Sequence, residues 1–248
     1  MPEKGFTCFR ALSLLSPVTA LSDWSASLAS LEARGFFVLD DMLGDSACAE
    51  LIQDFDERRR QGQFQDAGVG ASADVQRKIR KSELIWLEPE NPPMKARPFI
   101  DTMQDLKNLL NRNFYMGLNE WEAFYSVYRP GSFYRRHVDN FKGKNNRIIT
   151  FILYLNQNWQ RPKGGELRIY WDPRKANPSS GKNHPSAVPD SMQETLPSSG
   201  NDTMIWQECF LDIEPVAGRL VVFHAPEIEH EVLPCHADRY CITGWLRR

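Results

Sequence analysis

The stretch Tyr134–Asn140 (YRRHVDN) decides how the rest of the chain is interpreted. Side chains alternate between the two faces of a strand, so His137 and Asp139 point to the same side. An imidazole and a carboxylate two positions apart can therefore reach the same metal ion. This spacing is common by chance, so it predicts a metal site only if a third ligand lies elsewhere in the chain.

Four histidines further along the chain are candidates for the third ligand: His184, His224, His230 and His236. His184 lies in a polar, proline-rich segment and is a poor candidate. His224 ends the apolar run 220–223 and could equally be a core histidine. His230 enters a new predicted strand and is our preferred ligand. Two histidines and one carboxylate on one face of a metal suit non-haem Fe(II) and leave coordination positions open.

The composition fits one globular domain and lacks the excess of positive charge that binds nucleic acid or an anionic membrane. The chain has 248 residues, enough to bury a full core, and a formal net charge of −2. Its cysteines are odd in number and form no CxxC pair, which favours free thiols in a reducing compartment; they are Cys8, Cys48, Cys209, Cys235 and Cys241. No apolar run is long enough to span a bilayer. We therefore expect a cytoplasmic protein with neither nucleic acid nor membrane as a partner.

The sequence predicts a single domain at residues 22–248, with a lead-in before it and an insertion within it. Residues 1–21 form a lead-in whose apolar run is broken by serines, a threonine and a proline. This interruption favours an ordinary N-terminal segment over a signal peptide. An insertion at about 172–200 is rich in Pro, Ser, Asn and Gly. A solvated insertion and a lid that contacts substrate are both open interpretations.

Hydrophobic periodicity divides the chain into a helical first half and a β-rich second half. Apolar residues at helical spacing predict helices over about 22–34, from Asp45 onward and across 99–110. From Trp121 the period falls to about two, and short strands follow one another. The predicted strands are 36–41, 79–87, 121–128, 148–155, 166–171, 210–213, 219–223 and 240–246. This order predicts an all-β core, a sandwich or open barrel, with flanking helices on one sheet.

Arg239 lies nine residues after His230 and opens the last predicted strand. An antiparallel strand returning from His230 would bring Arg239 close to the metal site. There its planar guanidinium could hold a carboxylate through two hydrogen bonds. Taken alone, it could equally be a surface arginine.

The order His137-x-Asp139, His230 and Arg239 resembles the 2-oxoglutarate- and Fe(II)-dependent dioxygenases. Further stretches resemble the prolyl hydroxylases that sense oxygen through hypoxia-inducible factor, and their bacterial relatives. These stretches are 79–88, 128–131, 136–140, 150–159, 164–169 and 239–245. The resemblance implies a double-stranded β-helix, or jelly roll, with the N-terminal helices packed on one sheet.

The resemblance also implies a role for each matching position. The positions matched to Fe(II) binding are His137, Asp139 and His230. Those matched to 2-oxoglutarate binding are Arg239 and Tyr154 for the distal carboxylate, Tyr128 near the chelating end, and Thr243 in the pocket wall. Those matched to substrate binding are Arg147 and Trp245. Tyr154 and Trp245 could serve the core as well, because large aromatic residues pack there.

The implied reaction is hydroxylation of a prolyl residue in a protein substrate, with Fe(II), 2-oxoglutarate and O2, and with release of succinate and CO2. The resemblance leaves ascorbate open as an additional reductant. The bacterial relatives imply elongation factor Tu as a target. Two alternatives stay open: the same machinery acting on another residue type or a small molecule, and a non-catalytic binding module on the same barrel.

Overall fold

The computed structural model describes residues 24–63, 65–66, 82–88, 90–139, 146–171 and 210–248. The predicted lead-in at 1–21 and the predicted insertion at 172–200 lie outside the described residues, so both stay predictions. Within the described residues, no helix is both long enough and apolar enough to cross a bilayer.

Three α-helices occur within the described residues, and all three were predicted. They are α1 (Trp24–Arg34), α2 (Asp45–Arg60) and α3 (Arg97–Phe114). The longest, α3, buries Phe99, Met103, Leu106 and Leu110 at three- and four-residue spacing. This spacing gives the helix one continuous apolar stripe, which it turns toward the sheet.

The described residues also contain eleven strands. They are β1 (Phe36–Leu39), β2 (Gln65–Asp66), β3 (Glu83–Leu87), β4 (Glu120–Tyr128), β5 (Tyr134–His137), β6 (Arg147–Tyr154), β7 (Leu167–Tyr170), β8 (Phe210–Ile213), β9 (Leu220–His224), β10 (Glu229–Val232) and β11 (Arg239–Arg247). Each predicted strand is present, with end positions that differ by a few residues where the structure describes them; residues 79–81 of the predicted strand 79–87 lie outside the described residues. Strand β1 ends before the predicted limit because Asp41 has a left-handed backbone, with φ of 57°.

The strands form two antiparallel sheets. The major sheet has the order β1-β9-β6-β11-β4-β3-β2, and the minor sheet has the order β5-β10-β7-β8. Neighbours in the sheets are often far apart in sequence, as when β11 pairs with both β4 and β6. The arrangement is a jelly roll with helices against one sheet, which confirms the predicted fold.

Strand β6 shows how the major sheet separates two cores. Its residues Ile149, Phe151 and Leu153 are buried with the helices, in a cluster that includes Phe99 and Leu106 of α3. Its alternate residues Ile152 and Tyr154 are instead buried with the minor sheet, alongside Leu167, Ile169 and Val232. Side chains on alternate positions point to opposite faces, so one strand serves both cores. The space between the two sheets is where the predicted site residues meet.

Candidate active site

The three predicted metal ligands come together at one end of the two sheets. His137, the last residue of β5, lies directly opposite His230 of β10 in the strand register. Asp139 follows two residues after β5, and its backbone N–H donates to Ala225 O at 3.2 Å. One ligand atom from each of the three side chains lies within 4.8 Å of the other two. The Nε2–carboxylate distances are 3.3 Å from His137 to Asp139 Oδ1 and 3.7 Å from His230 to Asp139 Oδ2.

Backbone carbonyls fix the tautomer of both histidines. His137 Nδ1 lies 2.7 Å from Arg135 O, and His230 Nδ1 lies 3.0 Å from Ile228 O. A carbonyl oxygen only accepts hydrogen bonds, so Nδ1 of each neutral ring carries the proton. Each Nε2 then offers a lone pair, as a metal ligand requires. His137 Nε2 is also buried with no hydrogen-bond partner among the described residues. These features fit a metal ion.

The ionisation states also suit a cation. Burial tends to raise the pKa of Asp139, but His230, His137 and the hydroxyl of Thr150 together bring it well below its usual range. The Thr150 hydroxyl donates to Asp139 Oδ2 at 2.8 Å. Burial lowers the pKa of His230 to about 4. Near neutral pH the site therefore presents one carboxylate and a neutral His230 imidazole.

Aromatic neighbours hold the two imidazoles in place. The ring of Tyr134 stacks on His137 with 3.6 Å between centroids. The ring of Phe223 lies 4.7 Å from His230.

The competing histidines are placed elsewhere. Among the described residues, the cluster able to hold a metal contains His137, Asp139 and His230 but neither His224 nor His236. His224 lies near Gly35 at the junction of α1 and β1. His236 faces the carbonyl of Pro162 at 3.1 Å. His184 lies outside the described residues.

Arg239 is buried at the first position of β11, with 1% of its surface exposed. Its Nη2 donates to Tyr154 Oη at 3.2 Å, and its Nη1 donates to Cys241 Sγ at 3.5 Å. Its Nε has no partner among the described residues. The ring of Tyr128, its register partner on β4, lies 5.0 Å from the guanidinium carbon. The alternative of a surface arginine is therefore wrong.

No carboxylate of the described residues lies within ion-pair distance of Arg239. Burial would lower its pKa, but the surrounding phenols and thiols raise it, so the guanidinium stays charged. A buried charge is costly unless it is paired, which makes this guanidinium a ready site for an anion.

Gly165 makes room for Arg239. A Cβ at this position would lie 2.9 Å from Arg239 Cδ and 2.9 Å from Cys235 Sγ, and its φ of +73° also favours glycine.

The predicted residues surround one pocket, with a cavity volume of about 110 Å³. The lining includes the three metal-ligand candidates and Arg239, together with Tyr128, Thr243, Arg147 and Trp245. Tyr154 is fully buried and contacts Arg239. The pocket thus has candidate metal-ligand atoms at one end and the Arg239 cation at the other.

One wall of the pocket pairs a cation with an aromatic ring. The guanidinium carbon of Arg147 lies 3.5 Å from the centroid of the Trp245 ring. Arg147 Nε also donates to Glu122 Oε1 at 2.7 Å, and Arg247 Nη1 donates to Glu122 Oε2 at 3.0 Å. Trp245 is 4% exposed.

Four residues that shape this site were not predicted from the sequence: Thr150, Glu122, Tyr134 and Trp86. Thr150 is the one aliphatic hydroxyl in the apolar run 148–155, a signal that could have marked it. Glu122 alternates with apolar neighbours in β4 in the same way. Trp86 lines the pocket and is 44% exposed. Its position depends on the pairing of β3 with β4, which the sequence pattern leaves undefined.

The fold and the site define a class of protein: a jelly roll with two histidines and one carboxylate on one metal face and a buried arginine in the same pocket. Residues 123–247 match the 2OG-Fe(II) oxygenase superfamily, and this match covers half of the chain. The chain belongs to this superfamily. Membership implies Fe(II), 2-oxoglutarate and O2 as the metal, the cosubstrate and the oxidant.

Known relatives agree with the resemblance stated above. The chain is 28% identical over 222 residues to Egl nine homolog 1 of Homo sapiens, a match that covers 87% of this chain and 44% of that protein. It therefore spans less than half the length of this relative.

Solved structures with a similar fold include prolyl hydroxylases. A Pseudomonas putida prolyl-4-hydroxylase superposes with a TM-score of 0.68 and 27% identity, covering 90% of this chain and 97% of that one. A prolyl hydroxylase from Trichoplax adhaerens, in complex with a hypoxia-inducible-factor peptide, gives a TM-score of 0.64 at 23% identity, covering 89% and 87%. The second similarity concerns the fold alone.

Proposed function

We propose that this protein hydroxylates a prolyl residue of a protein substrate and converts 2-oxoglutarate to succinate and CO2. One observation carries the proposal: three side chains able to hold a metal ion, and a buried arginine with no carboxylate partner among the described residues, line a single pocket. The similarity to the Pseudomonas putida prolyl-4-hydroxylase supports the choice of a prolyl residue.

His137, Asp139 and His230 would hold Fe(II) through two Nε2 atoms and one carboxylate oxygen. The bound iron, together with 2-oxoglutarate and O2, supplies the oxidising chemistry, which side chains alone do not provide. The residues themselves keep the ligand atoms correctly protonated and oriented. The carbonyls of Arg135 and Ile228 do this for the histidines.

Arg239 and Tyr154 would bind the distal carboxylate of 2-oxoglutarate. The guanidinium gains the anionic partner that it lacks among the described residues, and the Tyr154 hydroxyl can donate a further hydrogen bond. Tyr128 and Thr243 line the stretch between Arg239 and the triad. They would fix the cosubstrate so that its keto-acid end faces the metal.

Arg147 and Trp245 would contact the substrate. Glu122 holds the Arg147 guanidinium against the Trp245 ring, so the two form one rigid wall. The Arg147 cation suits a carbonyl oxygen or an acidic side chain, and the part of the Trp245 ring that lines the pocket suits an apolar pyrrolidine ring. Elongation factor Tu is the first protein to test as substrate, on the strength of the resemblance to bacterial relatives. Ascorbate stays a prediction of the same resemblance.

We further propose a reducing compartment, the cytoplasm, as the location. Among the described residues, Cys48, Cys235 and Cys241 are buried free thiols, which is usual where the environment keeps thiols reduced.

The proposal is tested in two stages. Succinate release is first measured with and without Fe(II) and 2-oxoglutarate, using wild type and Asp139→Ala. Purified elongation factor Tu and a panel of other proteins are then incubated with each form, and peptides are analysed by mass spectrometry for the gain of one oxygen atom on proline. Oxygen added by wild type alone supports the proposal. Metal-dependent succinate release with oxygen found only on another residue type, or only on a small molecule, would replace prolyl hydroxylation with the corresponding reaction.

A further inference from the structure

A single buried hydroxyl meets the carboxylate of the metal-binding triad. Thr150 has no exposed surface, and its Oγ1 donates to Asp139 Oδ2 at 2.8 Å. Asp139 is itself only 6% exposed. Burying a hydroxyl without a hydrogen bond is costly, and an apolar residue such as valine would suit the strand equally well. The hydroxyl is therefore best explained by its contact with Asp139.

The backbone around Thr150 holds its side chain still. Thr150 lies in β6 near the middle of the major sheet, opposite Phe223 of β9 and Trp245 of β11. β-Branched residues also have few χ1 rotamers. Asp139, by contrast, follows the end of β5, beyond the last paired residue of that strand. The Thr150 donor in the sheet thus meets a carboxylate whose own segment lies outside the sheet and is held by one backbone hydrogen bond, from Asp139 N–H to Ala225 O.

The contact distinguishes the two carboxylate oxygens. Oδ1 lies 3.3 Å from His137 Nε2 and Oδ2 lies 3.7 Å from His230 Nε2, but only Oδ2 also accepts the hydrogen bond from Thr150 Oγ1. A carboxylate with both oxygens unrestrained can bind a metal through one oxygen or through both. A hydrogen bond to one oxygen favours binding through the other. Partners of this kind, beyond the direct ligands, commonly change metal affinity 10- to 100-fold, as an order of magnitude.

We propose that Thr150 is a positioning residue for the metal site: its hydroxyl holds Asp139 so that Oδ1 alone is offered to the metal. The inference rests on the proposed metal-binding role of the triad. It adds that a residue which never touches the metal sets how many oxygens Asp139 contributes. A one-oxygen carboxylate keeps one more coordination position available for the cosubstrate and oxygen.

The test uses Mn(II) and Co(II) as probes and four forms of the full chain. Thr150→Val removes the hydroxyl at nearly constant shape, and Thr150→Ser keeps it. Thr102→Val is the matched control, because Thr102 is also buried but donates to Pro98 O within α3. Mn(II) affinity is measured by the electron paramagnetic resonance signal of the free ion. The visible absorption of bound Co(II) reports coordination number.

Mn(II) affinity should fall about 10- to 100-fold in Thr150→Val, stay within about threefold of wild type in Thr150→Ser, and stay unchanged in Thr102→Val. The Co(II) spectrum should change in Thr150→Val only, because the carboxylate can then turn and bind through both oxygens. Should Thr150→Val fail to fold, Thr150→Ala removes the same hydroxyl and takes its place.

An unchanged Co(II) spectrum in the valine or alanine variant would overturn the proposal, whatever the Mn(II) affinity of that variant. Failure of wild type itself to bind Mn(II) would instead contradict the proposed metal site, so the two failures are distinguishable.

Discussion

Replacing Arg239 with alanine removes the only positive charge that the described part of the chain places at the inner end of the pocket. The side chain is 1% exposed and has no carboxylate partner among the described residues. Removing the guanidinium therefore leaves no carboxylate of the described residues unpaired, and the fold should persist. The loss should appear when 2-oxoglutarate binds, because its distal carboxylate would then be buried beside the Tyr154 hydroxyl alone.

The magnitude follows from the hydrogen bonds at stake. A guanidinium can give a carboxylate two charged hydrogen bonds, each worth about 1.5–3 kcal/mol. Truncating one partner of a buried charged pair costs roughly 2–5 kcal/mol in measured complexes. This range corresponds to a loss of about 30-fold to several thousand-fold in 2-oxoglutarate affinity. Arg239→Lys should recover part of the loss, because an ammonium supplies the charge but not the planar pair of donors.

The assay is an anaerobic calorimetric titration of 2-oxoglutarate into the Mn(II)-loaded protein. Wild type, Arg239→Ala and Arg239→Lys are compared with Arg168→Ala, a control in which the arginine pairs with Asp212 away from the pocket. Mn(II) affinity, measured first, should be nearly the same in all four. A change of less than about threefold, under 1 kcal/mol, in Arg239→Ala would mean that the carboxylate is held elsewhere.

Two further predictions concern the triad. His137→Ala and Asp139→Ala should abolish Mn(II) binding in a direct titration while His224→Ala retains it; binding that survives His230→Ala but not His224→Ala would reassign the third ligand. The metal-free protein should lose stability as the pH falls from about 6.5 toward 4, because burial lowers the pKa of His230 from 6.5 to about 4 and the unfolded chain therefore binds the proton first. The free energy of unfolding should fall by about 2 kcal/mol at pH 5. Asp139 does not add to this change, because its lowered pKa keeps it ionised across the same pH window. Urea unfolding at pH 7 and pH 5 measures it, and His230→Asn should show a smaller difference; an equal difference in that variant would contradict the assignment.

The sequence was most informative where chemistry and spacing act together. The His137-x-Asp139 pair needs only the alternation of a strand to place both side chains on one side. His230 could be preferred over His224 because it opens a strand whereas His224 ends an apolar one, and the structure places His230 opposite His137. The fold class was predicted from the change in hydrophobic period, from helical to about two, near Trp121. Strand β4 starts at Glu120, one residue from this change.

The sequence was least informative where a residue's role depends on strand register. Glu122 meets Arg147 and Arg247 because β11 pairs with β4 and β6 at once. Nothing in the pattern of any single strand specifies these pairings. Thr150 is similar, since its contact with Asp139 requires β6 to lie beneath the end of β5. Long-range pairing, rather than local propensity, decided both roles.

Strand β6 links the two ends of the pocket. Thr150 hydrogen bonds to Asp139 at one end, and four residues later Tyr154 hydrogen bonds to Arg239 at the other. Four residues of a strand span roughly 13 Å, which sets the backbone separation of the two polar residues of β6. A shift of β6 by one residue would turn both polar side chains to the helix side at once. The metal end and the anion end therefore depend on the same register, because the pairing of β6 places Thr150 beside Asp139 and Tyr154 beside Arg239 together.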